Sequence, residues 1–202
     1  METTTKVSFD LLPRAILSQG RGFHLERTDI GPGFWGMAAM TAAETNFPNP
    51  PPDQPQWLAL AQAVYNRQAD PKRHDDVCGG GMRWQIYWNN GYDYKNAISN
   101  GIFINLGARL AVYTGNHSYT DWIETTWKWM TDTGIMDSNY TIYDGIHVAN
   151  CSAVDQLEFS YNAAVFLLTA ATMYNYVSQF LSFSSYAYSI ETPHTNCKYL
   201  YS

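Results

Sequence analysis

The 202-residue sequence predicts an all-α fold in which paired helices curve into a helical toroid. Three observations carry this. Apolar residues recur at helical spacing in successive segments, most clearly at Ile98, Ile102, Phe103, Leu106 and Leu110. Two such segments are separated only by Thr114–Ser118, a link short enough to force an antiparallel hairpin. The other connections are long and rich in glycine and aromatics, and no fixed-period repeat of the solenoid type is present. Hairpins with long loops gathered at one end favour a closed ring over an open solenoid.

Taken in order, residues 1–33 have no convincing period, and glycines up to Gly33 mark them as loop. An Ala-rich apolar run starting at Phe34 predicts a helix to about Thr45. Five prolines between Phe47 and Pro55 make an extended connection. Asp53 is placed to cap a helix from about Gln56 to Gln68. Asp70–Gly81 reads as a loop, Arg83–Trp88 as a short extended piece and Asn89-Asn90-Gly91 as a turn. The clear helix through Ile98 and Leu110 stops at Gly115, and Ser118 with Asp121 forms a capping box for the next. Residues 135–154 read as loop. Asp155 and Glu158 are placed to cap a last helix, running to about Val177. The Ser/Tyr-rich tail from Ser178 neither continues that helix nor forms a lipid-anchor signal.

Composition narrows the function. Hydrophobic residues are 46% and charged residues 15%, which describes a globular chain and not a disordered one. The net charge is −6 and no Lys/Arg cluster occurs, so nucleic acid is not an expected partner. No apolar run approaches the roughly 18 residues of a membrane span. The N-terminus has no basic stretch followed by an apolar one, so no signal peptide is read there. Asn116, Asn139 and Asn150 nonetheless open glycosylation sequons, which point outside the cell. The 7 Trp and 15 Tyr serve either core filling or a cleft in which rings stack on sugars. Five histidines lack metal-ligand spacing, so neither a metal nor a cofactor is expected.

Several strings then recur in a recognisable order. They are Phe34-Trp35-Gly36-Met37-Ala38-Ala39-Met40, Asn46-Phe47-Pro48-Asn49-Pro50, Cys78-Gly79-Gly80-Gly81-Met82-Arg83-Trp84-Gln85, Tyr92-Asp93-Tyr94-Lys95-Asn96, Tyr143-Asp144-Gly145 and Ser160-Tyr161-Asn162-Ala163. The ordered set resembles glycoside hydrolase family 76, the α-1,6-mannanases, in its fungal cell-wall (Dfg5/Dcw1-like) branch. The resemblance covers about 34–177 and leaves 1–33 and 178–202 as non-matching flanks, so a truncated form of the family domain is expected. It implies an incomplete (α/α)6 barrel and a mannan endo-1,6-α-mannosidase-like role in wall biogenesis. The implied partner is α-1,6-mannan or a mannose-containing anchor glycan, and the implied location is secreted, at the cell wall or plasma-membrane surface.

The family pattern places two consecutive aspartates just before the Phe-Trp-Gly string. Here those positions fall on Ile30 and Gly31, neither of which ionises. A retaining glycosidase needs one carboxylate as nucleophile and one carboxylic acid as proton donor. Asp29, one position short, is the nearest carboxylate. Asp75-Asp76 is an adjacent pair off the family position and reads as a solvated loop. These replacements raise the alternative of a catalytically inactive carbohydrate-binding remnant.

The resemblance also suggests cleft residues. Trp84 is a stacking platform or a buried anchor. Gly80 and Gly81 let the backbone approach a ligand or a ring, or make a turn. Lys95, Asn96 and Asn100 bind hydroxyls or serve the start of a helix. Asp144 binds sugar or bonds its own turn, and Tyr161 and Asn162 face the cleft or a neighbouring helix. Cys78 and Cys151 are expected to form a disulfide between two loops, the alternative being two free thiols, while Cys197 makes the count odd.

Overall fold

The computed structural model describes residues 30–86 and 91–191. Its helices are α1 (Ile30–Glu44), α2 (Trp57–Gln68), α3 (Ala97–Thr114), α4 (Asp121–Asp132) and α5 (Ser160–Glu191). Three strands, β1 (Tyr94–Asn96), β2 (Tyr143–His147) and β3 (Val154–Glu158), form one antiparallel sheet in the order β1-β2-β3.

The core is organised around α3. Asn96 caps it by accepting from the Ser99 N–H, and Gly115 ends it in the left-handed conformation at φ 69°. Every residue from Ala97 to Ala111 is buried, so α3 is an interior helix covered on all sides. Ile102, Phe103, Leu106 and Leu110 are fully buried, each contributing on the order of 2 kcal/mol from lost apolar surface.

The neighbours of α3 fall into two layers. Gly33 lies against Ile102 and Gly36 against Leu106, so α1 runs parallel to α3. Gly101 meets Val165, and Asn105 donates to the Thr169 hydroxyl at 3.3 Å, so α5 is parallel as well. The returning helices are antiparallel. Gly33 and Gly36 of α1 meet Gln68 and Val64 of α2, and Phe103 of α3 meets Trp122 of α4. Close packing explains the glycines in α1: a Cβ at Gly33 would lie 2.6 Å from Ile102 Cγ2. The result is an arc of a helical toroid, α1, α3 and α5 in one layer and α2 and α4 in the other. The N-termini of α1, α3 and α5 gather at one rim.

Several local expectations are corrected. Helix α1 begins at Ile30, not Phe34, because Pro32 in the first turn lacks only an N–H that would be unpaired there anyway. Asp53 is not the cap of α2; Gln56 occupies that position without a side-chain bond. Ser118 lies in a short 3₁₀ turn, and Thr120 precedes α4 in place of the capping box. Asp155 and Glu158 do not cap α5 but belong to β3. Helix α5 continues past Val177 to Glu191. The sheet itself went unread: β1 pairs with β2, which lies beyond α3 and α4 in the chain, and β2 and β3 are too short to show a clear alternation.

His74 is half-buried against Phe103 and Trp122. Its ring stacks on Trp122 at 4.1 Å, and its Nε2 lies 2.8 Å from the Gln68 carbonyl, which only accepts, so Nε2 carries the proton. Burial pushes its pKa below the ordinary value; the Gln68 bond opposes this, and the charges of Arg73 and Lys95 reinforce it. The unfolded chain therefore binds this proton first. Its contribution to stability is present above the ordinary histidine pKa of about 6.5 and declines as pH falls through the window below it. His74→Phe, which keeps the stacking, is expected to flatten stability against pH between about 7 and 5 relative to the parent, as read by urea melts. An identical slope in both proteins would assign the titration elsewhere.

Candidate functional site

The rim where α3 and α5 begin carries a polar cluster with an aromatic edge. Its centre is Asp144 in β2. Tyr94 OH donates to Asp144 Oδ2 at 2.9 Å, and Asn162 Nδ2 donates to Oδ1 at 3.3 Å. Each partner is placed by a separate element: Tyr94 by β1, Asn162 by the first turn of α5. Gly145, beside Asp144, admits the close crossing of β1, since a Cβ there would lie 2.3 Å from the Lys95 carbonyl. Asn162 is fully buried, and its Oδ1 has no hydrogen-bond partner among the described residues. Burial, then the bond to and the charge of Asp144, push the Tyr94 phenol well above its usual pKa, so it stays a donor.

The aromatic edge is formed by Phe159 and Tyr161, stacked at 5.1 Å with planes 13° apart, and both are exposed. Burial and the Asp144 charge also raise the Tyr161 pKa. Trp84 is half-buried, edge-on to Tyr94 at 6.3 Å and against Gly91. His147 is tilted against the Tyr94 ring at 4.7 Å, its Nδ1 3.6 Å from Asp93. A carboxylate, a phenol and an amide beside an exposed ring pair can bind hydroxyls in front of a flat apolar face.

The structure separates the remaining sequence candidates from this cluster. Lys95 is fully buried, bonded to Asp75 Oδ1 and to the carbonyls of Asp75, Val77 and Gly80. Asn96 caps α3, and Asn100 bridges the N–H and carbonyl of Met82 and the Asn96 carbonyl. Lys95 and Asn100 thus spend their side-chain polar groups on the protein, and Asn96 its side-chain oxygen. Gly80 and Gly81 approach the Trp129 ring; at Gly81 (φ +75°) a Cβ would lie 2.4 Å from it. Asp75 is no solvated loop residue. Arg83 and Lys95 both pair with it, and they hold its pKa below the ordinary value although burial alone would raise it. Asp29 lies outside the described residues, as does Cys197. Cys78 and Cys151 are joined at an S–S distance of 2.04 Å. Asn116, Asn139 and Asn150 are all exposed.

Tyr94, Phe159 and His147 were missed as site residues. Tyr94 lies in one of the recurring strings, so its presence was a signal. Phe159 follows residues misread as a helix cap, which hid its pairing with Tyr161.

Most of the chain is similar to known proteins. The pattern of Glycosyl hydrolase family 76 matches residues 27–187. The chain is 52% identical over 149 residues to mannan endo-1,6-alpha-mannosidase DCW1 of Saccharomyces cerevisiae, covering 71% of this chain and 32% of that protein. It thus spans about a third of the length of the curated relatives it matches. The crystal structure of Dfg5 from Chaetomium thermophilum in complex with glucosamine superposes with a TM-score of 0.73 at 53% identity, over 75% of this chain and 38% of that one. An inactive variant of the α-1,6-mannanase GH76A of Salegentibacter sp. HEL1_6, with two consecutive aspartates changed to alanine, was solved in complex with alpha-1,6-mannotetrose. It shares the fold at 19% identity and a TM-score of 0.61, over 85% of this chain and 49% of that one. With the family pattern matching over most of its length and the same helical arc in both solved structures, the chain belongs to glycosyl hydrolase family 76.

Proposed function

We propose that this polypeptide is a mannan endo-1,6-α-mannosidase-like protein of the fungal cell wall that grips α-1,6-linked mannose at the Asp144 rim without cutting it. The observation that carries the binding half is the Asp144–Tyr94–Asn162 cluster beside the exposed Phe159–Tyr161 pair. Ile30 and Gly31 carry the other half. They stand where the family resemblance puts the two aspartates, at the N-terminus of α1, and neither can act as nucleophile or proton donor. The mannotetrose complex of a variant lacking two consecutive aspartates supports the idea that grip and cleavage are separable in this family. The disulfide and the three exposed sequon asparagines support a secreted or surface location. A mannose-containing anchor glycan offers the same hydroxyl pattern as a free mannan chain.

The test is calorimetric titration with α-1,6-mannotriose beside a reducing-end assay on unbranched α-1,6-mannan. Binding without release is the expected outcome. Asp144→Ala is expected to weaken binding at least about tenfold, roughly 1.4 kcal/mol, and to cost about 1–3 kcal/mol of stability because the buried Asn162 amide loses its acceptor. Wild-type affinity in that variant would move the site elsewhere. Turnover of the polymer would overturn the non-cleaving reading and favour an enzyme, as the relatives' names suggest.

A further inference from the structure

We propose that Lys95 is a positioning residue that acts as an internal cation: the rim loop 75–80 is folded around its ammonium, and this cage sets the seat of Tyr94 and so of Asp144. The inference rests on the reading of the Asp144 site given above.

The geometry of the cage is unlike an ordinary ion pair. Nζ lies 2.8 Å from Asp75 Oδ1, 2.6 Å from the Gly80 carbonyl, 2.7 Å from the Val77 carbonyl and 3.2 Å from the Asp75 carbonyl. One carboxylate would neutralise the charge, yet three backbone carbonyls also converge on it. Oxygens at these distances form the kind of shell that holds a dehydrated monovalent cation. Lysine is among the residues least often fully buried, and here its exposure is 0%.

The chain around Lys95 carries the effect to the site. Successive strand residues point to opposite faces, so Lys95 faces the loop while Tyr94 faces Asp144. Lys95 pairs with Ile146 in β2 and bridges to Arg83, and the Trp84 N–H donates to the Tyr94 carbonyl at 2.8 Å. Arg83 closes the circle by pairing with the same Asp75 that lines the cage. Two further anchors hold the loop itself: the Cys78–Cys151 disulfide, and Trp129 Nε1 donating to the Cys78 carbonyl at 3.0 Å. Those anchors grip one residue, Cys78. Among the described residues, the ammonium is what gathers carbonyls on both sides of it.

A cage of this kind predicts chemical rescue. In Lys95→Ala the space is left for a free cation, so amide hydrogen exchange across residues 76–84 is expected to accelerate about tenfold or more in sodium chloride. Ammonium or potassium chloride at equal ionic strength is expected to restore protection, including that of the Trp84 amide bonded to Tyr94. Lys95→Met, which fills the space without charge, is expected to stay unprotected in every salt. Mannotriose affinity is expected to fall and return with the loop. Unchanged exchange in both variants, or an equal response to all three salts, overturns the proposal. If Lys95→Ala does not fold in sodium, folding yield in ammonium replaces exchange as the readout, and a yield indifferent to the cation is equally fatal. Failure of the wild-type chain to bind mannotriose would overturn the site reading, while the exchange data alone decide the cage.

Discussion

Replacing Cys78 with serine is expected to lower the free energy of unfolding by about 4 kcal/mol. The bond it removes joins the loop ahead of Gly79 to the turn between β2 and β3 across a sequence separation of 73. A cross-link of that span restricts the unfolded chain far more than the folded one, and the cost of closing a loop grows with the logarithm of its length. The two ends are already held close in the native state. Cys78 is gripped through its carbonyl by Trp129, and Cys151 follows a strand pinned by β1. The native geometry should therefore survive, and the loss should appear in the unfolding midpoint. Urea melts of Cys78→Ser and parent under non-reducing conditions would check this. A difference below about 1 kcal/mol would mean that the unfolded chain is already compact around this contact.

The second large effect is expected at Arg109, which lies at the opposite end of α3 from the rim. Its Nε and Nη2 donate to the two carboxylate oxygens of Glu44 at 3.0 and 2.6 Å, in bidentate fashion. The same guanidinium donates to the Thr41 hydroxyl at 2.7 Å and to the Met37 carbonyl at 3.3 Å. It is buried, with a residue exposure of 8%, and ties the C-terminal turns of α1 to α3. Arg109→Met removes this clamp between the two helices, but Glu44 is exposed and water resolvates its carboxylate, so the loss should be about 1–2 kcal/mol. Adding Glu44→Leu to Arg109→Met should cost less than Glu44→Leu costs in the parent, because the pair is already broken. If the double variant is as unstable as the sum of the two single ones, the guanidinium acts through packing and not through the pair.

The helical layers were legible to different degrees. Helices α2 and α3 fell within a residue or two of their expected limits, because periodic apolar residues and Gly115 act locally. Helix α5 outran its expected end near Val177, because the Ser/Tyr-rich segment beyond it has weak periodicity. The candidate site was half legible. Asp144, Tyr161 and Asn162 stood out in the recurring strings and do come together, whereas Tyr94, in another of those strings, and Phe159, just ahead of one, went unremarked. Lys95, Asn96 and Asn100 also stood out, but a sequence does not tell whether a polar side chain at a helix start points to solvent or inward.

What the chain determined by itself was local: which segments coil, where they stop, and which polar residues recur. Those follow from interactions between residues a few positions apart, or from identity alone. Tertiary structure decided the rest. Strand β1 pairs with β2 although α3 and α4 lie between them in the chain, Asp75 becomes the partner of two cations, and an ammonium turns inward to gather carbonyls. Such contacts depend on two distant segments arriving at the same place, and their energy is absent until the helical arc has formed.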